Sequence, residues 1–74
     1  MDRTSKITKR EARKLFAAGQ DPEIGGHDYQ GCGAFWKMSE FKSEADTFDG
    51  IVYHFERYYC RGIGRLKMEF RKNI

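Results

Sequence analysis

Apolar residues recur three and four apart around Ala12, Leu15 and Phe16, and after Pro22 much of the chain shifts to alternate spacing. The first spacing is that of a helix and the second that of strands. Ala12, Leu15 and Phe16 form one stripe, while Arg10, Arg13, Lys14 and Ala17 form a second, basic one. An amphipathic helix from about Lys9 to Ala18 follows. Thr8-Lys9-Arg10-Glu11 reads as a capping box, with the Thr8 hydroxyl accepting from the Glu11 amide and the Glu11 carboxylate returning to the Thr8 amide. Ile7 is placed to staple against Ala12, Gly19 supplies a left-handed stop, and Asp21-Pro22 prevents continuation. Residues 1–6 are polar and without periodicity, which predicts a frayed arm.

Strand patterns fill the remainder. A short strand is expected from Glu23 to Tyr29, with Gly25-Gly26 marking a bend or bulge, and Gly31-Cys32-Gly33 a second break. From Ala34 to Phe41, Phe35 and Phe41 fall on one face and Trp36 and Met38 on the other, which suggests a central strand apolar on both sides. Phe48-Asp49-Gly50-Ile51 reads as a tight hairpin turn. A long strand from Ile51 to about Cys60 follows, in which either Arg57 escapes at an edge or a bulge switches Tyr58 and Cys60 inward. Gly62-Ile63-Gly64 turns the chain. Arg65 to Lys72 then alternates most regularly, with Leu66, Met68 and Phe70 inward and Arg65, Lys67, Glu69 and Arg71 outward. The expected architecture is α+β: one N-terminal helix packed on one face of a three- to four-stranded antiparallel sheet, the other face left in water.

With 74 residues the chain forms a single small domain, 1–74, whose shallow core leaves no room for a buried catalytic cleft. Its 39% apolar and 15% aromatic content is too rich for a disordered chain. No uncharged run approaches the roughly 20 residues of a membrane span, and the charged start lacks a signal-peptide segment, so a cytoplasmic location without membrane contact is expected. The net charge of +3 is distributed unevenly, with residues 1–19 and 51–74 basic and residues 20–50 acidic. If the helix and the last strands share a side, the molecule carries a positive face and a negative rim.

Few residues suggest chemistry. His27, Cys32, His54 and Cys60 are a possible zinc set by type. An extended His54–Cys60 segment would, however, hold those two roughly 20 Å apart at about 3.3 Å per residue. No metal or other cofactor is therefore expected, and reduced thiols are favoured over a Cys32–Cys60 disulfide. His54 with Glu56 gives only a weak acid/base pair, and Gly62-Ile63-Gly64 lacks the third glycine and following helix of a nucleotide loop. A non-catalytic role is expected.

The densest cluster of interface-type residues runs from Tyr53 to Arg65. Arg57, Arg61 and Arg65 can pair with phosphates or carboxylates, and Tyr58 and Tyr59 can stack on bases or fill pockets in a partner. Arg10, Arg13 and Lys14 on the helix extend the candidate partner-binding set. The opening Ile7-Thr8-Lys9-Arg10-Glu11-Ala12-Arg13-Lys14-Leu15-Phe16, followed by a glycine-broken sheet, resembles the short accessory proteins of bacteriophages and mobile elements, among them the anti-CRISPR inhibitors. The resemblance implies a non-enzymatic inhibitor that docks on a host protein or ribonucleoprotein complex in the host cytoplasm. Many such inhibitors imitate DNA with acidic surfaces, and here only residues 20–50 are acidic. A basic nucleic-acid-binding module with a Tyr/Arg sheet surface is the alternative.

Overall fold

The computed structural model describes residues 4–61 and 66–73. The elements are β1 (Thr4–Ile7), α1 (Lys9–Ala17), β2 (Glu23–His27), β3 (Gly33–Lys37), a 3-10 turn (Met38–Phe41), α2 (Phe48–Phe55), a π-helical turn (Glu56–Cys60) and β4 (Lys67–Asn73). The fold is α+β, with an antiparallel sheet in the order β1-β4-β2-β3.

Helix α1 starts and stops as its sequence predicts. Thr8 Oγ1 accepts from the Glu11 N–H at 3.1 Å. Beyond the helix, Gly19 takes φ +82°, its N–H donates to the Phe16 carbonyl, and the Gln20 N–H reaches back to Leu15. This pair of hydrogen bonds is the Schellman stop, which satisfies carbonyls that the helix end leaves open. The capping box is half formed, because the Glu11 carboxylate accepts from Lys72 Nζ at 2.8 Å and so ties α1 to β4.

Two expectations fail at the edges of the sheet. Thr4, Ser5 and Lys6 are not part of a frayed arm; with Ile7 they pair in register with Asn73, Lys72, Arg71 and Phe70. The partner lies at the far end of the chain, beyond the reach of local periodicity. Strand β3 is an edge strand, not a central one, and it ends at Lys37, where the chain turns so that Phe41 also enters the core. Gly25-Gly26 does not bulge, since both residues pair regularly with β3 and with β4.

The largest difference is at residues 48–60, which form no hairpin and no strand. Thr47 caps a helix through Gly50 N–H, and Phe48, Ile51, Val52 and Phe55 share its buried stripe. The helix widens into a π-helical turn whose end is marked by the Arg61 N–H donating to the Glu56 carbonyl at 3.0 Å. The alternative positions considered for Arg57, at an edge or beside a bulge, therefore do not arise.

Ile7, Phe70, Ile24 and Trp36 align in one row across all four strands. This row faces α1 and α2, and Ala12, Met38, Phe41 and Phe55 join it in one buried cluster. Trp36, Phe41, Phe55 and Tyr59 pack ring against ring within it, and such pairs add about 0.5–1.5 kcal/mol each beyond their area. Both helices thus cover one side of the sheet, and no described element covers the other.

Candidate functional site

Two surfaces concentrate the side chains capable of binding. The first lies on the helical layer. Asp49 and Tyr53 on the exposed side of α2, Arg57 in the π-helical turn and Arg61 just past it follow one another at four-residue spacing. Tyr53 is 62% and Tyr58 54% exposed. Arg57 Nη1 donates to the Tyr53 hydroxyl at 3.3 Å, and the same guanidinium lies 5.9 Å from the centre of the Tyr58 ring. Tyr58 in turn packs on His54 at 4.7 Å. Arg61 pairs with Glu56 at 3.3 Å. Tyr53, Glu56, Arg57 and Arg61 line a shallow depression of about 380 Å³.

Helix α1 adjoins this ridge through Arg13, whose two nitrogens meet the Asp49 carboxylate at 3.0 and 2.8 Å. The hydrogen bond from Arg13 holds the Asp49 carboxyl below its usual range. Arg13 also lies 4.9 Å over the Phe48 ring. Arg10 and Lys14 are exposed on the same helix.

Of the residues expected to bind a partner, Arg57, Tyr58, Arg61, Arg10, Arg13 and Lys14 are on the surface of the helical layer. Tyr59 is not available, because it stacks on Phe55 at 4.9 Å and packs against Trp36 and Phe41. Arg65 lies outside the described residues. None of the described members is on the open sheet, since the segment expected as a strand is helical and belongs to the covering layer. Each basic segment is split between the two sides: Arg10, Arg13, Lys14, Arg57 and Arg61 are on the helical layer, and Lys6, Lys67 and Arg71 are on the open face. Among the described residues, no single face collects all of them.

The second surface is the uncovered sheet face, where the sequence placed the charged residues of the last strand. Row by row it carries Lys6, Arg71, Glu23 and Lys37, then Glu69, Gly25 and Phe35, then Lys67, His27 and Gly33. A Cβ on Gly25 would meet Ala34 and Phe35, and one on Gly33 would meet the His27 ring. The two rings therefore lie close over backbone, 5.7 Å apart. Arg71 sits 4.8 Å over Phe35 and donates to Thr4 Oγ1 at 3.1 Å; its Nε is buried without a partner among the described residues. His27 Nδ1 meets Glu69 Oε2 at 2.6 Å, and Lys6 is 3.9 Å from the other oxygen. The hydrogen bond with His27, aided by Lys6 and Arg71, lowers the Glu69 pKa. Alternation in β4 was the available signal, because its outward set already named Lys67, Glu69 and Arg71.

The acidic middle segment is largely occupied with local structure. Asp28 Oδ1 accepts from Gln30 and Cys32 in the β2–β3 turn, Asp21 accepts from Ser39, and Glu40 accepts from the Lys37 N–H. Cys32 and Cys60 are both free, and burial pushes the Cys60 thiol up, away from reactivity. The extended geometry used to separate His54 from Cys60 does not apply to a helical segment. Among the described residues, no group of three or more His, Cys, Asp or Glu is placed to hold a metal. No helix among them is long and apolar enough to cross a membrane.

The chain matches no protein-family model, no curated protein and no solved structure.

Proposed function

We propose that this chain is a small non-catalytic binding protein that acts by docking on a host protein or ribonucleoprotein complex, as a phage-type inhibitor of the anti-CRISPR kind does. The observation that supports this reading is the exposed pair Tyr53 and Tyr58 with Arg57 between them. Tyr and Arg dominate binding hot spots because they bring large amphipathic area with few freely rotating bonds to order. Arg57 contacts both phenols, which biases it toward a conformation between them before docking. Arg57 and Arg61 line the same depression as Tyr53 and bring positive charge to it, which fits an acidic patch on the partner and speeds encounter.

The test is quantitative capture from host lysate by the immobilised full chain, with Tyr53→Ala/Tyr58→Ala as the comparison. A partner held at near-stoichiometric amounts by the wild type and lost from the double variant is the expected result. Equal recovery by both proteins would remove the ridge as the contact.

A further inference from the structure

We propose that the uncovered sheet face is a second binding surface, one that holds single-stranded RNA. The inference goes beyond the helical ridge and stands on different residues. Three features of the face support it.

The first is charge. Lys6, Lys37, Lys67 and Arg71 project from all four strands except β2, against the carboxylates of Glu23 and Glu69. Four cations against two carboxylates leave these side chains at +2, with Lys6 the cation that offsets Glu69. The net positive field complements a phosphate backbone. The second is a stacking platform. Phe35 and His27 lie close over Gly25 and Gly33, where any side chain would displace them, and the Arg71 guanidinium lies over the Phe35 ring, so that its plane, with the His27 ring beside it, offers the stacking surface. Bases stack on such rings and guanidinium planes with little regard to sequence. The third selects RNA. Thr4, Glu23, His27, Gly33, Phe35 and Arg71 line a depression of about 430 Å³ on this face. Glu23 has no ion-pair partner among the described residues, and a carboxylate there repels phosphate but accepts a hydrogen bond from a ribose 2′-hydroxyl. A single strand suits the face better than a duplex, whose stacked bases could not reach Phe35.

Fluorescence anisotropy with a short labelled single-stranded RNA of mixed sequence, titrated with the full chain, tests this directly. Binding should saturate at low salt and weaken with a log–log slope of about −2, as contact with about three phosphates of a single strand predicts. Phe35→Ala should weaken binding about tenfold. Lys67→Glu, at an exposed position, should weaken it several-fold without changing the thermal midpoint. DNA of the same sequence should bind more weakly, with the difference abolished in Glu23→Ala. Absence of saturable binding at low salt would overturn the proposal, as would unchanged affinity in both Phe35→Ala and Lys67→Glu. Equal affinity for RNA and DNA would overturn the assignment to RNA. Loss of a captured protein, rather than of RNA, from Lys67→Glu would assign the face to a protein instead. Tyr53→Ala/Tyr58→Ala should leave RNA affinity unchanged, which separates this surface from the helical ridge.

Discussion

Thr47 Oγ1 accepts from the Gly50 backbone N–H at 3.0 Å, and the Thr47 carbonyl accepts from the Ile51 N–H at 2.9 Å. Together these bonds turn Asp49-Gly50, a hairpin pair by composition, into the first turn of α2. Asp49 then sits where a negative side chain favours the helix dipole, and its carboxylate meets Arg13 of α1. The ridge of Tyr53, Arg57 and Tyr58 owes its helical geometry to this start.

Loss of the Thr47 cap should therefore weaken the whole domain. Thr47→Ala is expected to lower stability by about 1 kcal/mol, seen as a fall of about 4–8 °C in the thermal midpoint, with Thr47→Ser recovering most of it. An unchanged midpoint would mean that α2 forms without the cap.

Neighbouring tyrosines should separate cleanly. Tyr59 packs on Phe55, Trp36 and Phe41, so Tyr59→Ala is expected to lower stability by about 2 kcal/mol. Tyr58 is 54% exposed, and Tyr58→Ala should stay within about 0.5 kcal/mol of wild type. Urea denaturation of both variants measures the contrast. Equal losses would contradict the burial of Tyr59.

The paired glycines of β2 should tolerate no side chain. A Cβ at Gly25 would collide with Ala34 and Phe35 of β3, and one at Gly26 with the Lys67 backbone of β4. Neither contact can be relieved by rotating a flexible side chain alone, so Gly25→Ala and Gly26→Ala should each destabilise by about 1–3 kcal/mol. Alanine at Gly31, where φ is +83° and nothing lies within 4 Å, carries strain but no collision. Thermal unfolding of the three variants distinguishes strand crowding from loop strain.

Stability should fall in acid through Glu69. Its pKa is lowered in the folded protein, chiefly by the hydrogen bond with His27. A depressed carboxylate contributes stability that is fully present above its unfolded pKa and is lost as pH falls through the folded value. Urea unfolding from neutral pH down to pH about 3 should show this loss, and Glu69→Gln should flatten that part of the curve. An identical acid limb in Glu69→Gln would assign the pH dependence to other carboxylates.

What the sequence determined by itself was local. Thr8, Glu11 and Gly19 act within a few residues of one another, so the ends of α1 were legible without any tertiary contact. The alternation of Leu66, Met68 and Phe70 likewise placed β4 and its inward face, and with them the α+β class. Residues 48–60 took their form from long-range packing. Phe48, Ile51, Val52 and Phe55 satisfy a helical period while being β-branched or aromatic, and Asp49-Gly50 suits a turn, so local preference pointed to strands. Burial of that stripe against the row Ile7, Phe70, Ile24 and Trp36 outweighs it, because covering a sheet face removes far more apolar area from water than propensity can offset. Strand order was equally out of reach, since β1 pairs with β4 across almost the whole chain. The packing of both helices on one side put Tyr53, Arg57, Tyr58 and Arg61 on the helical layer and left Phe35, His27 and Arg71 on the open face of the sheet.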